Sequence, residues 1–138
     1  MIVDPADIDS YERDGAVCLR GVFTLDWLDL LAAGVEENLA SPGPHAKHYT
    51  EAGAPGYFFG DYCNWQRIPP YQKFAMDSPA ADVAGAIMRS ERVNFFHEHV
   101  LVKEPLTEDR TPWHHDQPYW VVDGVQVCSI WLPLDPVP

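Results

Sequence analysis

The chain changes period near residue 90, and that switch limits its fold more than any other feature of the sequence. Before it, apolar side chains recur at helical spacing: Leu25, Leu28, Leu31, Ala32, Val35 and Leu39 make one stripe, ended by Ser41-Pro42-Gly43-Pro44. After it, Arg92-Val93-Asn94-Phe95-Phe96-His97-Glu98-His99-Val100-Leu101-Val102-Lys103 is β-branched and aromatic and closes at Glu104-Pro105. Helices that lead and strands that follow predict an α+β domain, helical over 1–90, with jelly-roll or barrel strands over 91–138.

Local signals fill in this outline. A short polar helix over 5–14 stops at Asp14-Gly15, and Ala16 to Phe23 reads as a strand. Thr24 is placed to cap the next helix, with Asp26 complementing its dipole. Residues 41–56, rich in Pro and Gly, read as an ordered loop or lid carrying His45, His48 and Tyr49, with solvation the simpler role for all three. Tyr57-Phe58-Phe59 and Tyr62-Cys63-Asn64-Trp65 are strand candidates separated by Gly60-Asp61. Helices are expected over Pro69 to Met76 and, behind Ser78, over Pro79 to Arg89. Asp123-Gly124 is a hairpin dipeptide, predicted to turn a strand at 113–120 into one at Val125 to Leu134.

Composition excludes several partners. The net charge of −12 argues against nucleic acid and anionic membranes. No apolar run reaches the roughly 18 residues of a membrane span, and Met1 to Asp7 has no secretory pattern. Cys18, Cys63 and Cys128, odd in number and widely spaced, read as reduced thiols, which predicts a cytoplasmic protein.

The chemistry concentrates in Trp113-His114-His115-Asp116-Gln117-Pro118-Tyr119-Trp120. On a strand, His114 and Asp116 share a face roughly 6–7 Å apart and offer one cation an imidazole nitrogen and a carboxylate oxygen. That supplies two of the three ligands of the two-histidine, one-carboxylate triad of non-haem Fe(II) oxygenases. With 6 His and 13 Asp in 138 residues, chance alone gives such a pair about half the time, so spacing by itself favours an ordinary ion pair. His115 points to the other face and reads as structural. His97 and His99 share a face of their own strand, where they either meet a cation or hydrogen-bond across the sheet. Arg67 is one of few basic groups near these residues, although a surface ion pair explains it more simply.

Three blocks together carry a resemblance: Val102-Lys103-Glu104-Pro105, then Thr111-Pro112 into the His-x-Asp segment, then Val127-Cys128-Ser129-Ile130-Trp131-Leu132-Pro133-Leu134-Asp135. With Tyr11-Glu12-Arg13-Asp14-Gly15-Ala16-Val17, they resemble the phytanoyl-CoA dioxygenase family. The resemblance implies a double-stranded β-helix, Fe(II) and 2-oxoglutarate as cofactor and co-substrate, and O2 with a small organic molecule as the other reactants. It makes His114 and Asp116 the iron ligands, and His99, Trp131 and more weakly Lys103 the co-substrate contacts. Gln117, or Tyr119 with Trp120, is the expected support for the ligands. Trp131 and Lys103 also have plain readings, as core and as a solvated strand end.

Family members continue for roughly another domain-half, which brings a third, histidine ligand and a basic partner for the distal carboxylate of 2-oxoglutarate. Neither stands in the expected place here, so the sequence reads as part of a longer oxygenase. Two alternatives remain at this level. One is a non-catalytic jelly-roll ligand-binding domain or dead relative; the other is a divalent-metal isomerase using His97, His99, His114 and Asp116.

Overall fold

A computed structural model describes residues 2–137. Helices α1 (Pro5–Asp14) and α2 (Leu25–Ala40) come first, then strands β1 (Lys47–His48) and β2 (Phe58–Tyr62). Helices α3 (Pro69–Asp77) and α4 (Ala80–Ile87), strand β3 (His99–Lys103) and one 3-10 turn (Gln117–Tyr119) complete the order. The class is α+β, as the sequence predicts.

Each helix begins and ends for a local reason. Asp4 caps α1 by accepting from the Ala6 N–H at 2.8 Å, and Gly15 ends it with φ 77, a conformation that costs glycine little. Thr24 precedes α2 with extended backbone, but its hydroxyl makes no capping hydrogen bond; only its carbonyl joins the first turn. Before α4, the Ser78 hydroxyl accepts from the Ala80 N–H at 3.2 Å.

Two packing layers follow. Val3, Ile8, Val83 and Ile87 bring α1 and α4 together, flanked by Tyr11, Val17, Leu19, Val22 and Ala86. Elsewhere α2 crosses α3 at Gly34, where an added Cβ would stand 2.5 Å from the Tyr71 ring, so the close approach requires glycine. Ile68, Tyr71, Phe58 and Phe59 are buried as well.

The sheet has three antiparallel strands in the order β1-β2-β3, so β2 is central and its residues 58–61 are buried. The register pairs Phe58 with Lys103 and Tyr62 with His99. Beyond the ladder, the Glu104 N–H donates to the Tyr57 carbonyl at 2.8 Å, and Thr107 Oγ1 bonds both Tyr57 N and O at 2.9 Å.

Several sequence expectations need correction. Ala16 to Phe23 is irregular, with bends at Gly21 and Phe23; Val17 and Leu19 pack on the α1–α4 core, but among the described residues the segment pairs with no strand. Alternation alone does not make a ladder; a backbone partner must be present. Gly60-Asp61 is not a break: β2 runs through it, because the ring of Tyr49 lies over Gly60, 2.9 Å from where a Cβ would stand. The 41–56 loop is tied to the sheet through β1, with the Tyr49 N–H donating to the Phe58 carbonyl and their rings stacked at 4.5 Å. After residue 90, His99–Lys103 is the strand formed among the described residues. The stretches 113–120 and 125–134 hold no ladder; Pro118 sits inside the first and supplies no donor.

Candidate metal centre

His114 and Asp116 meet, though not on a strand. Residues 112–116 form an irregular segment leading into the 3-10 turn, and Asp116 has φ −79 and ψ −25, so the chain folds back rather than extending. This curl brings His114 Nε2 to 3.3 Å from Asp116 Oδ1. The two side chains are 42% and 48% exposed.

The tautomer follows from the neighbours. His114 Nδ1 lies 2.7 Å from the Pro112 carbonyl, which can only accept, so Nδ1 carries the hydrogen and donates it. In the neutral ring Nε2 then holds a lone pair, facing a carboxylate oxygen. Two lone pairs at this separation repel unless a proton or a cation lies between them. Two donors bound side by side to one cation at bonds of roughly 2.1 Å stand about 3 Å apart, close to the distance found. A neutral nitrogen with an anionic oxygen suits a divalent ion such as Fe(II), and a carbonyl on the far ring nitrogen is the usual support for a metal-binding histidine. The residues present therefore fit two positions of an iron site. No group of three or more His, Cys, Asp or Glu able to hold a metal occurs among the described residues.

The other sequence candidates separate into near and far. The Tyr119 ring stands edge-on to His114 with centroids 6.4 Å apart, as expected of a supporting wall. Gln117 does not support the pair; its Nε2 donates to the Val122 carbonyl at 2.9 Å and closes the turn. His99 lies at the near end of β3. Burial, then neighbouring His97, pushes its imidazole below the ordinary value, while the charges of Asp116 and Asp61 pull it up. Lys103 stands at the other end of β3, roughly 13 Å along the strand, where its ammonium lies 4.3 Å over the Phe58 ring and donates to the Asp109 carbonyl at 2.9 Å. Trp131 is 76% exposed on a segment without a strand partner and contributes nothing to the core.

Behind this surface lies a polar hub that the sequence does not announce. Asp61, fully buried, accepts from Asn38 Nδ2 at 2.8 Å, the Gly43 N–H at 2.7 Å and the Tyr62 N–H at 2.9 Å. Burial alone would raise its pKa, but these donors and Asn64 outweigh it and hold the carboxyl below the ordinary range. Arg67 is not a surface ion pair: it donates to Asn64 Oδ1 at 2.7 Å and stands 4.0 Å from Asp61. Glu98 grips the next turn, accepting from the backbone N–H groups of Asn64 and Trp65. Because side chains alternate along a strand, a Glu98 turned to that side leaves His97 and His99 on the other. There they stand edge-on to Tyr62, at 6.0 and 5.6 Å, while His45 stacks on the same ring at 4.5 Å. Tyr62 has no sequence signal as a site residue and His45 only its place in the 41–56 loop or lid; the β2–β3 register and the folded loop bring them together.

Among the described residues no helix is long and apolar enough to cross a membrane. No curated protein and no solved structure matches the chain. The family model for phytanoyl-CoA dioxygenase (PhyH) matches residues 11–138, nearly the whole sequence, so the chain belongs to the phytanoyl-CoA dioxygenase family.

Proposed function

We propose that this chain is an Fe(II)- and 2-oxoglutarate-dependent oxygenase acting on a small organic substrate, and that residues 91–138 contribute to a double-stranded β-helix. Family membership supports the reaction class. The observation that carries the assignment of residues is the pair His114 Nε2 and Asp116 Oδ1, 3.3 Å apart, with Nδ1 committed to the Pro112 carbonyl. Bound there, Fe(II) would supply O2 activation coupled to oxidative decarboxylation of 2-oxoglutarate to succinate and CO2.

The chain's own residues do the positioning. Pro112 fixes the His114 tautomer, so that Nε2 offers its lone pair outward. Asp116 brings the anionic charge that favours a divalent ion. Tyr119 stands edge-on beside the imidazole. His99, at the near end of β3, is the co-substrate contact in this reading, whereas Trp131 and Lys103 reach that role only after rearrangement of the segments that carry them.

The test is succinate formation from 2-oxoglutarate by the intact protein, with and without Fe(II). Turnover should need iron and disappear in His114→Ala and Asp116→Ala. Unchanged turnover in either variant removes the assignment. Saturable binding of a small molecule without any iron-dependent succinate would favour the non-catalytic reading instead.

A further inference from the structure

A carboxyl group attacks the next backbone nitrogen most readily when the following residue is small, because no bulky side chain shields that nitrogen. The chain holds four aspartates followed by glycine or serine: Asp9-Ser10, Asp14-Gly15, Asp77-Ser78 and Asp123-Gly124. The fold protects three of them. Asp9 and Ser10 lie within α1, where the Ser10 N–H belongs to the helical ladder. Asp14 ends that helix; the Gly15 N–H donates to the Tyr11 carbonyl at 2.8 Å, and Arg13 holds the two Asp14 oxygens at 2.9 and 2.6 Å. Asp77 ends α3; the Ser78 N–H donates to the Phe74 carbonyl at 3.1 Å, and Lys73 donates to Asp77 at 3.0 Å. In all three the attacking nitrogen is already committed as a donor.

Asp123-Gly124 has none of this protection. Both residues are exposed, in a stretch that is neither helix nor ladder. Gly124 has φ 140, with open space where a Cβ would stand. Among the described residues its N–H donates to no backbone carbonyl, and no side chain or backbone group bonds the Asp123 carboxylate. The residues on either side are fixed. Val122 accepts from Gln117 Nε2 at 2.9 Å, and Gln126 Nε2 donates to the Met88 carbonyl at 2.9 Å. The turn hangs between two anchors with its own reactive groups free.

We propose that Asp123 is a covalent modification site, where aspartate isomerises spontaneously to isoaspartate. The Gly124 nitrogen attacks Cγ of the protonated Asp123 carboxyl group. An N–Cγ bond forms, the amide proton and the carboxyl hydroxyl leave together as water, and a five-membered succinimide results. Water then adds to one of its two carbonyls. Opening at the main-chain carbonyl breaks that carbon's bond to the Gly124 nitrogen, so the chain now runs through Cβ and Cγ. Opening at Cγ restores aspartate. One water leaves and one returns; nothing is oxidised or reduced, and the mass is unchanged. The product lengthens the backbone by one carbon directly after the Val122 carbonyl that holds Gln117. The reaction requires neither metal nor co-substrate, so it stands apart from the oxygenase reading.

The experiment incubates the chain in mildly acidic buffer, folded and in urea, and follows each aspartate by peptide mapping. Isoaspartyl peptides separate from their aspartyl forms at equal mass and resist a protease that cuts before aspartate. In the folded chain isoaspartate should accumulate at Asp123 at least about tenfold faster than at Asp14. In urea the two rates should come within about threefold, because only the fold distinguishes the two Asp-Gly pairs. Gly124→Ala should slow the reaction at Asp123 by about tenfold or more, through the shielding its methyl group gives the nitrogen. Equal rates at Asp14 and Asp123 in the folded chain, a tenfold gap that persists in urea, or an unchanged rate in Gly124→Ala would overturn the proposal.

Discussion

Asp61 and Asp116 are both aspartates held by short-range partners, and the structure treats them in opposite ways. Asp61 is buried, and its oxygens are met by Asn38, Gly43 and Tyr62 donors. Asp116 is about half exposed, and what faces it, 3.3 Å away, is the Nε2 of the His114 imidazole. A carboxylate whose lone pairs are filled by protein donors ties elements together: here α2, the loop at Gly43 and β2. One that meets only an imidazole nitrogen is held by whatever lies between the two, a proton or a metal ion. The first arrangement stabilises a fold; the second is available to a ligand.

That contrast makes separable predictions. Asp61→Ala should cost the most stability, about 3 kcal/mol or a Tm drop on the order of 10 °C, because it leaves buried donors from α2 and the loop unpaired. Thermal unfolding checks this, and a loss under about 1 kcal/mol would erase the distinction between the two aspartates. Asp116→Ala should change stability by no more than about 0.5 kcal/mol while lowering Fe(II) affinity by about a hundredfold or more, read by anaerobic titration. Gly43→Ala should cost about 2 kcal/mol, because its Cβ would collide with Asn64 Oδ1 beside the hub. Glu98→Gln should cost about 1 kcal/mol in the same unfolding assay, through weaker bonds to the Asn64 and Trp65 N–H groups.

The pH dependence sharpens the comparison further. Hydrogen bonding lowers the folded-state pKa of Asp61 below that of the unfolded chain. Its stabilisation is therefore complete above about pH 4, the unfolded value, and is lost as pH falls through the lower folded value. Denaturant midpoints measured across the acid range should show this slope in the wild type and a flatter one in Asp61→Asn.

The helices were legible because their signals are local. Stripe spacing in α2, Asp4 and Gly15 around α1, and Pro69 at the start of α3 each act within a turn or two. Strands were legible only in part. Val17 and Leu19 alternate as a strand should, yet no partner backbone lies beside them among the described residues. Gly60-Asp61 reads as a separator between two strand candidates because glycine and aspartate are depleted in strands. Here the glycine admits the Tyr49 ring, and the aspartate anchors a network reaching back to Asn38. At the site, the His-x-Asp spacing correctly paired His114 with Asp116, but through a folded-back segment rather than a shared strand face.

From its residues alone, this protein is an α+β chain of the phytanoyl-CoA dioxygenase family whose His-x-Asp spacing brings one imidazole and one carboxylate together. Those properties depend on residue type and near spacing, which the backbone enforces over a few bonds. Tertiary structure alone decided that Asp61 would be a filled buried hub, that Pro112 would fix the His114 tautomer, and that His45 would meet Tyr62 and His97. Strand register and loop closure set those meetings, and both depend on which distant backbone groups pair rather than on any neighbour in sequence.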